Sequence, residues 1–302
     1  MNPERKQRYM DYKYGNEVLA PRVLERLFEK IDKYEQRVGK DCSEFSSKEA
    51  LAYFTLNNDR SLSVITNKYS ILSDYADWCL NNGLLRDGKN HYLEINMDAL
   101  KKCVNKEKMK KSILTRREVL DGIENLQNPR DKFIILAIFE IGVKRHFEDI
   151  RNIKLSDFDD NNKLNLGNRT VTVTDKLHQL AKEADGVMEY IYTNQKVYTL
   201  IDSEYVVKYV ANIRSGDSDE GKKLMMIIRR LLIYLGWDNI IPRDLALSGM
   251  LHMIRAYAKY YKVQPVTVVK DKRIYKKICD QYDVKTYYTV FLNQYGALLT
   301  SE

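Results

Sequence analysis

Apolar residues recur at helical spacing through most of the chain, and polar punctuation separates the runs. Leu19, Val23, Leu27 and Ile31 repeat every four residues, which predicts a helix from about Glu17 to Val38. Ser46 followed three residues later by Glu49 is a capping-box pattern and predicts a short helix through Leu56. Val64, Ile71, Leu72, Tyr75 and Cys79 share one side of a helix from Ser63 to Leu80. Asn81-Asn82-Gly83 closes it with residues that tolerate positive φ. A fourth helix is expected from Met97 to Lys106, whereas residues 1–15, polar, basic and without period, read as a loose arm. Together these helices predict a compact all-α module over residues 1–105.

The second half opens at Leu114-Thr115-Arg116-Arg117-Glu118, a helix start with Thr115 as N-cap. Asn128-Pro129 then begins a helix that is apolar nearly all round, from Phe133 to Ile141, and such a helix belongs in a core. It ends at Gly142. The runs Lys163–Leu166 and Arg169–Thr174, set off by Asn161-Asn162 and Gly167-Asn168, predict a hairpin. Asp175 is expected to cap a helix through Ala184. A Tyr-rich segment and the loop Ser215-Gly216-Asp217-Ser218 follow. Leu224, Ile227, Ile228, Leu231 and Leu235 then mark one face of a helix from Glu220 to Leu235. Ile240-Ile241-Pro242-Arg243-Asp244 leads into a helix reaching Tyr261, with Leu251, Ile254 and Ala258 on its apolar face. A basic helix from Val266 to Tyr282 and an apolar tail complete the chain.

At 302 residues the chain has room for two domains, and its 44% hydrophobic and 30% charged composition is that of a globular protein. The longest apolar run, Phe133–Phe139, is too short for a bilayer, and no cationic-then-apolar leader is present, so a cytoplasmic location is expected. Cys42, Cys79, Cys103 and Cys279 include no close-spaced pair; no metal site or disulfide framework is expected, and small buried side chains are. The net charge of +8 favours a polyanionic partner. Its distribution says more than its size. Eight Lys or Arg fall between Lys101 and Arg117 (101, 102, 106, 108, 110, 111, 116 and 117) against Glu107 alone. The run reads either as a solvated helix face with a linker over 106–114 or as a strip laid along a phosphate backbone.

The box from Ile240 to Gly249 carries the sharpest chemistry. Arg243 stands where a helix begins, so its charge adds to the orphan N–H groups of the first turn, an arrangement that suits a phosphate. The box resembles the "P-H-D-L-R-H" motif of tyrosine recombinases, the phage integrases, with Arg243 at the His position and Ala246 at the Arg position. Ile141-Gly142-Val143-Lys144-Arg145-His146-Phe147-Glu148-Asp149-Ile150-Arg151-Asn152-Ile153-Lys154-Leu155-Ser156-Asp157-Phe158 is similar to that family's "TGLRISELLNLKWSDI". It puts Arg145 near the first catalytic arginine, with one residue extra. The hairpin would correspond to the sheet whose turn carries a catalytic lysine; here Gly167-Asn168 has none, and Lys163 and Arg169 are approximate substitutes. Lys285-Thr286-Tyr287-Tyr288 resembles the stretch of the nucleophilic tyrosine, and nine residues before Tyr288, at the second His or Trp position, stands Cys279.

The resemblance implies a mainly α, two-domain clamp. A SAM-like four-helix core-binding domain (1–105) would precede a basic linker (106–114) and a catalytic-like domain with a small sheet (115–302). A tyrosine can attack a phosphodiester only if charge on the nonbridging oxygens is neutralised and the leaving oxygen is protonated. Ala246 offers no donor, and one lost donor of this kind costs on the order of 3 kcal/mol in the barrier. Arg145, Arg243, Ala246, Cys279 and Tyr288 therefore read as vestigial positions, with no catalytic residue, cofactor or metal expected. Expected DNA contacts are Lys101, Lys102, Lys108, Lys110, Lys111, Arg145, Arg243, Arg255, Lys272 and Arg273; Arg255 is also the one residue that could reach the pocket from elsewhere. His146 and His252 read as helix-face residues.

The implied function is occupancy of a specific site on double-stranded DNA, as a phage or prophage repressor controlling lysogeny, similar to the recombinase-fold repressors of SPβ-type Bacillus phages. Association with the host nucleoid is expected, and no membrane partner. A second copy joined through the C-terminal tail (Val290, Phe291, Leu292, Leu298, Leu299), or a small phage-encoded regulator, is a possible further partner; the tail could equally pack on its own domain. Two alternatives stay open: a diverged but active recombinase using Tyr288 or Tyr287, and a purely structural helical protein.

Overall fold

The computed structural model describes residues 2–15, 21–210 and 220–300, except the side chains of Pro21, Arg145 and Glu220. The expected helix start at Glu17 and the loop Ser215–Ser218 lie outside the described residues. The chain divides into two compact units between Met109 and Lys110. Among the described residues no helix is long and apolar enough to cross a membrane.

The first unit begins with a correction. Residues 1–15, expected as a loose arm, contain helix α1 (Pro3–Tyr14). Its burial rests on two side chains. Tyr9 packs against Phe28, Tyr75 and Trp78, and the Lys6 ammonium forms a buried ion pair with Glu35 at 2.5 Å. A helix anchored by one ring and one paired cation leaves no apolar period to read. Next come α2 (Pro21–Val38), α3 (Ser47–Leu56) and α4 (Leu62–Asn81). The Ser46–Glu49 capping box forms as expected. The helix expected over Met97–Lys106 is two helices, α5 (Met97–Lys102) and α6 (Lys106–Lys110). Asn105 makes the break: its side-chain oxygen accepts the Lys108 N–H at 2.7 Å and restarts the helix. The segment expected as a linker is thus helical in its first half, and Met109, Ser112 and Leu114 are buried. Aromatic rings, among them Phe45, Phe54, Tyr75 and Tyr92, fill this unit's core.

The second unit is built on α8 (Pro129–Ile141), buried from Phe133 to Ile141 as its unbroken apolar sequence requires. Helices α7 (Arg116–Glu124) and α10 (Asp175–Asp185) pack on it. Thr115 and Glu118 cap α7 reciprocally; α10 is capped by Thr174 and not by Asp175, the hydroxyl accepting the Leu177 N–H. The short α9 (Glu148–Arg151) and the hairpin β1 (Lys163–Asn165) and β2 (Thr170–Thr172) follow α8, with Leu164 opposite Val171 and both buried. The Tyr-rich segment holds a second hairpin, β3 (Glu189–Ile191) and β4 (Val197–Thr199), which the sequence pattern did not suggest. Tyr190 fastens it by donating to Asp131 at 2.8 Å, and the Asn128 amide pairs both ways with the Ile191 backbone.

Helices α11 (Glu220–Tyr234) and α12 (Pro242–Tyr261) come next, α12 crossing α8 at Gly249. The basic helix expected from Val266 to Tyr282 is two, α13 (Pro265–Lys270) and α14 (Lys272–Tyr282). Asp271 is extended (ψ 104) and accepts the Arg273 and Ile274 N–H groups, so it ends one helix and caps the next. The tail is α15 (Tyr288–Leu299). It packs within its own unit, Phe291 against Tyr275 and the Leu298 carbonyl on Arg255. All four cysteines are free and buried.

Candidate nucleic-acid interface

The N-terminus of α12 is set by its first four residues. Ile241 is extended, Pro242 occupies the first helical position, and the buried Asp244 carboxylate accepts the Ile241 N–H at 2.8 Å. Arg243 is left exposed at the mouth of the helix. Tyr295 of α15 stands close by; burial pushes its phenol up, and Arg243 opposes that shift. One turn on, Ala246 is only 9% exposed and belongs to the core. Ser248 locks this end of the helix, donating to the Asp244 carbonyl at 2.7 Å and accepting the Leu114 N–H at 3.0 Å.

The segment after α8 absorbs one residue more than the motif it resembles. Gly142 turns the chain at φ 85, a short 3₁₀ turn covers Arg145–Phe147, and His146 and Phe147 both take left-handed backbone (φ 58 and 54). Two such residues in sequence store on the order of 1–3 kcal/mol each, held here by the buried Phe147 ring. The Arg145 side chain lies outside the described residues.

Among the described residues around this turn, Arg169 and Lys144 are already paired with carboxylates. Arg169, at the end of the hairpin turn, donates to Asp149 at 2.6 Å and to the Ile141 carbonyl at 3.2 Å, and lies 3.6 Å from Asp283. Lys144 lies 3.7 Å from Asp149 and 4.0 Å from Asp283. Lys163 donates to Thr172 at 2.6 Å. Behind them, Gln281 of α14 bridges β2 and α8: it accepts the Thr172 N–H and donates to the carbonyls of Thr172 and Glu140. The Glu140 carboxylate receives both the Thr174 N–H and hydroxyl, and burial pushes its pKa up.

The remaining expected residues are spread out. Cys279 is buried beside Tyr275, and desolvation pushes its thiol up, so it supplies no cation or ready proton donor. Arg255 is spent on the Leu298 carbonyl at 2.8 Å. Tyr287 is 84% exposed as the N-cap of α15, and Tyr288, the first helical residue, is half-buried. His252 lies on α12 over the Phe139 ring, its pKa lowered by burial and then by Arg116 and Arg255. Lys102, Lys108, Lys110 and Lys111 are exposed, while Lys101 pairs with Asp98 at 3.0 Å. Lys272 and Arg273 are exposed at the start of α14.

One surface was missed from the sequence. Helix α11 exposes Arg229 and Arg230 among Met225, Met226 (68% exposed) and Ile233, while Leu224, Ile228 and Leu231 are buried. The signal was an excess: its apolar residues outnumber what one buried face uses. The single cluster of metal-type ligands among the described residues, Glu35, Asp41 and Cys42, already contains a cation, because Lys6 and the Cys42 N–H occupy the two Glu35 oxygens.

A helical unit followed by a second helical unit with two small hairpins, bearing a loop-to-helix box at Pro242–Ala246, defines a tyrosine-recombinase-like, integrase-like protein. The chain belongs to the MrpR family: residues 1–81 match the MrpR N-terminal core-binding domain and residues 113–297 the MrpR C-terminal catalytic domain. Among solved structures it is similar to the Tn1549 transposon integrase in complex with circular intermediate DNA. That match has 11% identity and a TM-score of 0.48 over 95% of this chain and 97% of that one. No curated protein matches the chain.

Proposed function

We propose that this protein binds a specific site on double-stranded DNA and holds it without cutting it, as a repressor of phage or prophage genes. The observation that carries the reading is the state of the cation set a recombinase needs. The second-arginine position is a buried alanine, Ala246, and Arg169 and Lys144 are matched by Asp149 and Asp283. A transition state with two charged nonbridging oxygens needs cations that are not already neutralised. Occupancy asks less: exposed Arg243 at a helix N-terminus and the exposed lysines of α6 suit phosphates. The α11 face, arginines beside large apolar side chains, has the chemistry that reads guanine edges and thymine methyl groups in a major groove. The domains this assigns to DNA are residues 1–105 and 115–302, joined through 106–114.

The test is a mobility shift on genomic fragments paired with a trap for covalent adducts, a substrate nicked beside the suspected scissile bond. The expected result is a discrete shifted complex with both strands intact. The exposure of Tyr287 favours one rival, a diverged recombinase. A tyrosine-linked adduct abolished by Tyr287→Phe or Tyr288→Phe would establish that rival and sink the repressor reading.

A further inference from the structure

Helix α12 runs twenty residues from Pro242 to Tyr261, so its ends lie about 30 Å apart at 1.5 Å per residue. Arg243 marks one end. At the other, the chain reverses through Lys262 in left-handed conformation (φ 54) into α13 and α14. Between Lys259 and Lys277 there are seven Lys and Arg, all exposed, and one carboxylate. That carboxylate, Asp271, is committed to capping: its Oδ1 accepts the N–H groups of Arg273 at 2.9 Å and Ile274 at 3.1 Å. Within this segment lies a cleft of about 370 Å³ lined by Tyr261, Val263, Thr267, Val268 and Ile274, with the cations of Arg273 and Lys277 outnumbering the one carboxylate, Asp271. Tyr260, 77% exposed, stands beside it.

We propose that this cleft docks an acidic, apolar segment of a partner protein. One large aromatic or branched side chain fills the cleft, and flanking carboxylates pair with Arg273 and Lys277. Unlike the convex α11 face, this is a concave cleft, which suits one inserted protein side chain and which a phosphate backbone does not fill. The cations select an acidic one, and complementarity of that kind sets partner and register. The separation from Arg243 leaves the cleft open while the other end of α12 is occupied. Arg273, expected from the sequence to touch DNA, lines this cleft and on this proposal pairs with the partner.

The test uses the full chain and fluorescence anisotropy with three probes. These are a short labelled peptide of Glu and Asp alternating with Leu and Phe, the same peptide with Lys replacing the acids, and a random-sequence duplex. The acidic peptide should bind in the micromolar range and the Lys peptide should not. R273E/K277E, both exposed and so compatible with folding, should weaken the acidic peptide at least about tenfold. Val263→Asp should weaken it as well, because the cleft and not charge alone is used. Duplex binding by Val263→Asp, at a residue outside the expected DNA contacts, should be unchanged. Absence of acidic-peptide binding, or equal binding by R273E/K277E, overturns the proposal. Loss of duplex binding in Val263→Asp overturns it too and gives the cleft to DNA. The DNA reading survives any outcome in which wild-type protein still binds the duplex.

Discussion

Arg169 and Asp149 form an ion pair at 2.6 Å with side chains only 11% and 7% exposed, and the same guanidinium reaches the Ile141 carbonyl. One pair therefore fixes the hairpin turn to the end of α8 and to α9. Removing one partner leaves a buried charge with only a longer contact, Arg169 to Asp283 at 3.6 Å or Asp149 to Lys144 at 3.7 Å, at a cost of up to about 3–5 kcal/mol, whereas replacing both with apolar groups of similar shape costs far less. Asp149→Ala should lower the urea midpoint of the second unit by the equivalent of about 3 kcal/mol. Asp149→Leu combined with Arg169→Met should recover most of that loss. A double variant no more stable than the single one would show that the pair contributes attraction, not just mutual neutralisation.

Gly249 tests the central crossing. A Cβ there would lie 1.6 Å from the Phe139 carbonyl oxygen and 2.8 Å from the Tyr282 hydroxyl, so neither helix backbone can give way locally. Gly249→Ala should cost more than about 4 kcal/mol or prevent folding, the range reached when a packed core is overfilled against backbone. Gly296 in α15 is the control, because nothing lies within 4 Å of the equivalent atom. Gly296→Ala should gain about 0.5–1 kcal/mol from helix propensity. Thermal unfolding of the two variants reads both signs.

These two sites mark what the sequence disclosed. The buried α8, the Ser46 and Thr115 caps and the first hairpin were legible because each has a local signature: unbroken apolarity, a hydroxyl three residues before Glu, Asn and Gly at a turn. α1 was not, because Tyr9 and Lys6 bury it through partners 19 or more residues away, Phe28 and Glu35. The pairing of Arg169 and Lys144 with Asp149 and Asp283 was likewise hidden, since these residues are brought together only by α8, the hairpin and the end of α14. Asn105 and Asp271 split two expected helices because a cap residue inside a helical period ends one helix and starts the next without breaking the apolar spacing.

His91 gives a pH signature to the first unit. Its ring is bracketed by Asp87 at 2.6 Å and Glu94 at 2.8 Å, and these bonds, Asp87 first, raise its pKa. A raised histidine adds stability that is fully present below its unfolded value of about 6.5 and is lost as pH rises through the folded value. The urea midpoint of this unit should fall across that window, and His91→Gln should flatten the step. A midpoint that rises with pH over the same range in wild type, and not in His91→Gln, would mean the sign is wrong.

The lysines near the unit division should act on DNA without reading sequence. Lys108, Lys110 and Lys111 are exposed, two of them on the five-residue helix α6. Replacing all three with Ala should weaken specific and nonspecific duplexes together. The log–log salt slope should fall by up to about 2.7, at roughly 0.9 per phosphate contact. An unchanged slope would return them to an ordinary solvated face.

Arg243 separates holding DNA from cutting it. It stands exposed at the α12 N-terminus, where Pro242 has no N–H and the Asp244 and Leu245 N–H groups donate to the Ile241 carbonyl, so the guanidinium supplies the contact, aided by the positive end of the helix. A phosphate there accepts charge-assisted bonds, and Arg243→Ala should weaken specific binding by about 1.5–3 kcal/mol. Arg243→Lys should recover part of it, as a point charge without the bidentate fork. Arg243 also acts on the half-buried phenol of Tyr295. Tyr295→Phe keeps the ring and removes the hydroxyl, so it should bind as wild type does. Tyr287→Phe and Tyr288→Phe should also retain binding, because occupancy makes no use of a nucleophile. Titration of all five variants against one labelled duplex, at one fixed salt concentration, decides the matter. Full affinity in Arg243→Ala would remove the α12 N-terminus from the interface and with it the phosphate contact on which the repressor reading depends.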